Sequence, residues 1–198
     1  TTVPAGKNIT VVRDGDFTTD SMFKINKGTF TVNATDASSS ITFDGKKIET
    51  TVSKGGGVFY VYSRGGIKLS GTEKTEGSQK VKTIVIKDNT VSSSSSTVYG
   101  GGVYITGSGT NTLENCSING NKAESSKYAE GGGVYTAGSG TNTLKNCSIT
   151  GNTVSSSSSS TVYGGGVYIY TGTNTLENCS ITGNTVSSSS SAYGGGVY

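Results

Sequence analysis

Residues 141–160 read TNTLKNCSITGNTVSSSSSS, and near copies flank them: TNTLENCSINGN at 110–121 and TNTLENCSITGNTVSSSSS at 173–191. Between the copies GGGVY recurs with its first glycine at Gly100, Gly131, Gly164 and Gly194, in steps of 31, 33 and 30 residues. Leu113, Leu144 and Leu176 step by 31 and 32 residues, as do Cys116, Cys147 and Cys179. A fixed period of this size marks a unit that cannot bury its apolar face alone and does so by stacking on its neighbours.

Period-two alternation places strands inside the unit. Val103, Val134 and Val167 never vary, so they point inward, and Tyr104, Tyr135, Tyr168 and Tyr198 then point out. In LENCSI the residue after Leu changes from Glu114 to Lys145 to Glu177, which faces it to water; Cys and the Ile two residues on (Ile118, Ile149, Ile181) share the inward face. Ala123, Val154 and Val186 supply a third inward contact. Three short strands per unit of about 31 residues predict a coil of an all-β, right-handed parallel β-helix, with equivalent residues in columns ~4.8 Å apart. The handedness follows from the usual parallel crossover rule. Repeated Asn at corners, in the sets Asn121, Asn152, Asn184 and Asn115, Asn146, Asn178, is expected to form side-chain amide ladders.

Composition agrees. The 198 residues hold 31 Gly, one Pro, no Trp and no His, and 31% are hydrophobic, which suits a narrow core filled by few side chains. Residues 1–90 carry 13 Lys or Arg and 9 Asp or Glu, whereas 91–198 carry 3 and 4. The division predicts irregular coils with a possible cap over 1–90 and regular repeats over 91–198, about six coils in all. The nearly uncharged repeats lack the basic surface that nucleic acid requires. No apolar run reaches the ~18 residues of a membrane span. The chain starts without a signal-peptide pattern and stops in mid-repeat, so it is expected to be a piece of a longer, C-terminally truncated protein.

GGGVY followed by SINGN or SITGN resembles the paired GG-aliphatic and F-x-x-N motifs of the polymorphic outer membrane proteins, the chlamydial-type repeat family. The first motif falls at residues 101–104, 132–135, 165–168 and 195–198, the second at 118–121, 149–152 and 181–184, with Ile where the family has Phe. The resemblance implies an exported, autotransporter-passenger-like adhesin on a bacterial cell surface, associated with the outer membrane.

Without His, nucleophile relays and most zinc sites are excluded. Asp14, Asp16 and Asp20 in RDGDFTTD read as a polar turn, since the downstream bidentate Glu of a Ca²⁺ loop is missing. The three Cys read as small buried apolar residues. Sequons at Asn8, Asn33, Asn115, Asn146 and Asn178 read as corner residues where they stack, and the serine runs at 92–96, 155–160 and 187–191 as flexible loops. No catalytic, cofactor or metal residue is expected.

Binding is assigned to the Tyr column, Tyr104, Tyr135, Tyr168 and Tyr198, and to the pairs Thr110 and Thr112, Thr141 and Thr143, Thr173 and Thr175. The partners expected are a host-cell receptor, a surface glycan, or further copies of the chain. The function read from this is a non-catalytic extracellular adhesin or structural stalk. The alternatives are a self-assembling surface fibre, an ice-binding solenoid displaying the T-x-T pairs, and a polysaccharide-acting β-helix.

Overall fold

A computed structural model describes residues 1–16, 18–51, 55–158 and 160–198. Phe17 of the acidic turn and Ser159 of the second serine run lie outside the described residues. The chain winds as a parallel β-helix whose walls are sheets of strands from successive coils.

Four walls can be followed. The first begins with two long strands, Phe23–Ala34 and Phe59–Gly71, and continues in the repeats as pairs of short strands. Val103–Ile105 pairs with the start of the second long strand (Val103 beside Phe59), and Thr110–Glu114 with its end (Leu113 beside Leu69). Thr141–Lys145 and Thr173–Glu177 follow in perfect register, Thr on Thr, Asn on Asn, Leu on Leu. The second wall stacks Asn8–Val12, Ser40–Asp44, Ile84–Lys87, Cys116–Asn119, Ser148–Thr150 and Ser180–Thr182, six coils deep. The third stacks Glu49–Thr51, Thr90–Ser93, Lys122–Ser125, Thr153–Ser156 and Thr185–Ser187. A fourth, two residues wide, runs Val98–Tyr99, Ala129–Glu130, Val162–Tyr163 and Ala192–Tyr193.

A regular coil therefore has five strand segments, not three. Asn115, Asn146 and Asn178 adopt φ of 51°, 52° and 50°, and this left-handed residue splits the expected LENCSI strand into TNTLE and CSI, turning the wall without losing a rung. The glycine triplets turn another corner. Gly100 has φ 57°, and a Cβ there would sit 2.2 Å from the Val103 carbonyl oxygen, while one on Gly101 would sit 2.2 Å from Gly132 O in the next coil. Only Gly permits both the backbone angle and that approach.

Inward columns of Val103, Leu113, Ile118 and their copies form the buried core, as the invariance of those positions implies. The early coils are filled differently. Phe23, Phe30, Phe43 and Phe59 meet with ring centroids 5.1–5.8 Å apart. Burying aromatic rings of this size is the largest apolar contribution available to so thin a core.

Candidate binding site

The expected asparagine columns behave in two ways. Asn89, Asn121, Asn152 and Asn184 form a buried ladder in which each Nδ2 donates to the next Oδ1 at 2.8, 3.0 and 3.0 Å. Each of the last three also donates to an isoleucine carbonyl in the coil before, Ile86, Ile118 or Ile149. Asn115, Asn146 and Asn178 form no such ladder. Their value is conformational, since Asn tolerates the left-handed corner, and Asn115 Nδ2 donates instead to Gly71 O at 3.1 Å. A second ladder is built from Asn111, Asn142 and Asn174, joined by Nδ2 to Oδ1 bonds of 2.9 Å; Asn111 and Asn142 are buried inside the wall and Asn174 is half-buried. Its sign in the sequence was the Asn between two outward Thr in every TNT, which period two turns inward.

Cys116, Cys147 and Cys179 lie in one file and are free thiols. The Cys147 thiol donates to Leu113 O at 3.3 Å and the Cys179 thiol to Leu144 O at 3.4 Å, each reaching back one coil. Hydrogen bonding with Cys116, together with burial, pushes the Cys147 thiol up to about 12, far from the thiolate that redox or metal chemistry uses. The serine runs are not unpaired loops. Ser125 Oγ donates to Ser96 O at 2.6 Å, Ser156 Oγ to Lys127 O at 3.0 Å and Ser189 Oγ to Ser158 O at 3.0 Å, so a compact hydroxyl in one coil satisfies a carbonyl in the coil before it.

The tyrosine column requires correction. Tyr104, Tyr135 and Tyr168 do leave the core side of their strands, yet they are only 7%, 5% and 7% exposed; Tyr198 is 51% exposed. The glycine corner is concave outward, so the narrow fourth wall folds its own outer side chains against them. Tyr99 meets Tyr104 at 5.0 Å and Tyr163 meets Tyr168 at 5.5 Å, while along the column Tyr60, Tyr104, Tyr135 and Tyr168 follow at 5.0, 5.1 and 5.1 Å. Rings so occupied have no free face for a sugar, which removes them as a stacking surface. One carboxylate interrupts the aromatic run. Glu130 stands where neighbouring coils have Tyr99 and Tyr163, and burial raises it to about 7 against the opposing effect of a hydrogen bond from Tyr135.

The threonine pairs are brought together as expected. Thr110, Thr141 and Thr173 form one exposed column, and Thr112, Thr143 and Thr175 a parallel one. Thr29 and Thr31 continue the pattern two coils earlier, but Gly66 and Lys68 interrupt it. The acidic turn behaves as a turn: Asp14 Oδ1 accepts from Asp16 N at 3.0 Å, and Asp20 pairs with Lys24 at 2.5 Å.

The feature that escaped the sequence reading is a hairpin. Thirteen residues, 71–83, stand between Ser70 and Ile84 where the next coil needs only Asn115 between Glu114 and Cys116. Within them Glu73–Glu76 and Gln79–Lys82 pair antiparallel around Gly77, whose φ of 61° suits the first position of a two-residue hairpin turn. The signal was present: EKTEGSQKVK alternates about a Gly-Ser pair and concentrates charge. The hairpin rises beside the second wall and leaves a cavity of about 420 Å³. Ser40, Thr42, Val85, Ser117, Asn119 and Ser148 form its floor; Lys74, Glu76, Lys80, Val81 and Lys82 form its side. A polar cavity of about 390 Å³ on the other flank is lined by Thr72, Glu73, Lys82 and the corner asparagines Asn115, Asn146 and Asn178.

Ion pairs stiffen the hairpin. Lys82 meets Glu73 at 2.6 Å, Lys74 meets Glu76 at 2.7 Å, and Lys80 stands 3.8 Å from Glu73. The hydrogen bond from Lys82, with its charge and that of Lys80, holds the Glu73 carboxyl below the ordinary carboxylate range.

The family described as "Right handed beta helix region" matches residues 16–198, so the match takes in the irregular early coils as well as the repeats. No curated protein and no solved structure matches the chain. Among the described residues, no helix is long and apolar enough to cross a membrane.

Proposed function

This chain belongs to the right-handed β-helix family, and from that premise we propose that it is a non-catalytic repeat domain of an extracellular surface protein, acting as an adhesin or stalk. The observation that carries this reading is the register of the repeats. Each outward position of one coil lies over the same position of the next, so the chain presents ordered rows of Thr, Ser and Asn side chains on a scaffold with internal amide, thiol and aromatic ladders. Identical weak contacts repeated along a row suit multivalent attachment. The resemblance of GGGVY and SITGN to the polymorphic outer membrane proteins points the same way, towards an autotransporter-like passenger at a bacterial surface. Beads coated with the full chain are expected to adhere to cultured epithelial cells, and adhesion no greater than that of albumin-coated beads overturns the reading.

Ice binding is a second reading, and one observation favours it. The six threonines of the TNT strands form two parallel columns on one face, in register over three coils. An ice-binding chain would show a gap between freezing and melting points that Thr143→Lys abolishes. Equal freezing and melting points at millimolar protein dispose of it.

A further inference from the structure

We propose that the cavity between the hairpin and the second wall binds an acidic oligosaccharide, a short sugar chain bearing carboxylates. The inference rests on the adhesion reading and names the ligand chemistry that reading leaves open. Its starting point is the insertion itself. The other repeats turn this corner with a single Asn, so the extra residues are not needed to close the coil, and they stand outside the core columns. Their structural consequence is a walled recess on an otherwise open face.

The recess has the size and character such a ligand needs. Its volume of about 420 Å³ falls in the ~300–1,000 Å³ range of small-molecule sites. The floor offers short hydroxyl and amide groups from three stacked strands, Thr42, Ser117, Asn119 and Ser148, which can both donate and accept. Val85 on the floor and Val81 on the hairpin add a small apolar patch. A pyranose ring is built to match: hydroxyls at the rim, C–H groups on the faces.

Charge selects the acidic sugars. Three lysines and one glutamate line the cavity, and with Glu73, which pairs with Lys82 and Lys80, the hairpin still holds one more lysine than glutamate. Lys74 and Lys82 are committed to close ion pairs with Glu76 and Glu73. Lys80, 3.8 Å from Glu73 and with 74% of its side chain exposed, is the least committed of the three and is placed to meet a ligand carboxylate.

The test titrates the full chain, by calorimetry, with a galacturonic-acid trisaccharide, the matched neutral galactose trisaccharide, and sodium sulfate. Saturable binding of the uronate is expected, with the neutral sugar and sulfate each weaker by about tenfold or more, and with affinity falling as salt rises. Lys80→Glu is expected to weaken uronate binding by about tenfold and leave the melting temperature unchanged, because the side chain is exposed. Deleting residues 72–83 leaves Gly71 to turn the corner and is expected to abolish binding while the β-sheet circular dichroism persists. Absence of uronate binding, equal affinity for the neutral trisaccharide, or undiminished binding by Lys80→Glu overturns the proposal. Bead adhesion separates the two ideas: parent beads that adhere while the uronate fails remove this inference alone, and uronate binding without adhesion removes the adhesion reading alone.

Discussion

Residues 1–90 and 91–198 share continuous sheets yet fill them by opposite means. In the first, few residues recur from coil to coil: four phenylalanines interlock, strands run to 12 and 13 residues, and one corner opens into a charged hairpin. In the second, like stacks on like: Asn amides bond to their own copies, Tyr rings pack on theirs, and Cys and Ser side chains donate to carbonyls one coil away. Mixed packing draws its stability from burying large rings, while homogeneous stacking draws it from polar groups that satisfy each other rung by rung. The first can absorb an insertion because no column depends on exact repetition. The second trades that freedom for rows of identical surface.

The largest effect should come from the mixed region. Phe59→Ala is expected to cost about 3–5 kcal/mol in urea unfolding, against about 2 kcal/mol for Val103→Ala directly above it in the same column. Equal costs would break the contrast between the two kinds of packing. Next comes a polar ladder. Asn121→Ala removes the donor to Ile86 O and strands the partners on either side, and is expected to cost about 2–3 kcal/mol in the same assay.

Glu130 sharpens the contrast through pH. Its carboxyl is raised to about 7 in the folded chain, above the ordinary ~4.3, so the folded state holds the proton more tightly. Stability is therefore full below about pH 4, declines as pH rises to about 7, and is level beyond. The difference between those values, discounted for partial exposure, corresponds to about 1–2 kcal/mol. Glu130→Tyr, which completes the aromatic run, should flatten the profile and raise the melting temperature at pH 8; an unchanged profile would show that Glu130 is not the group concerned.

Smaller effects follow at the corners and the surface. Asn115→Ala should cost about 1 kcal/mol because Ala resists the left-handed angle, whereas Asn115→Gly should be close to neutral in thermal melts. Thr143→Val on the outer wall should change stability by less than about 0.5 kcal/mol. A large loss there would mean that the threonine columns support the fold as well as decorate it.

Much of the architecture was readable from the repeats, since Val103, Leu113 and Ile118 recur at inward positions and their copies can meet only by stacking. Surface and interior were harder to separate at Tyr104 and Tyr135, because alternation reports which side of a strand a residue takes and not what another wall brings against it. Asn115 and Asn121 show a related limit: both repeat at corners, but only the inward-facing column can chain its amides. Text alignment also misleads by one place in the early coils. GGGV at 55–58 matches GGGV at 100–103 letter for letter, yet Phe59, not Val58, lies beside Val103.

By itself the sequence determined that this is a stack of near-identical coils, because a period kept over three copies of Leu, Cys and Asn admits no other way to bury so few apolar residues. The tertiary structure alone decided where the outside is concave, which asparagines bond to one another, and that a twelve-residue excess at one corner walls a cavity. Those features depend on angles between walls and on contacts across coils, which a one-dimensional pattern does not encode.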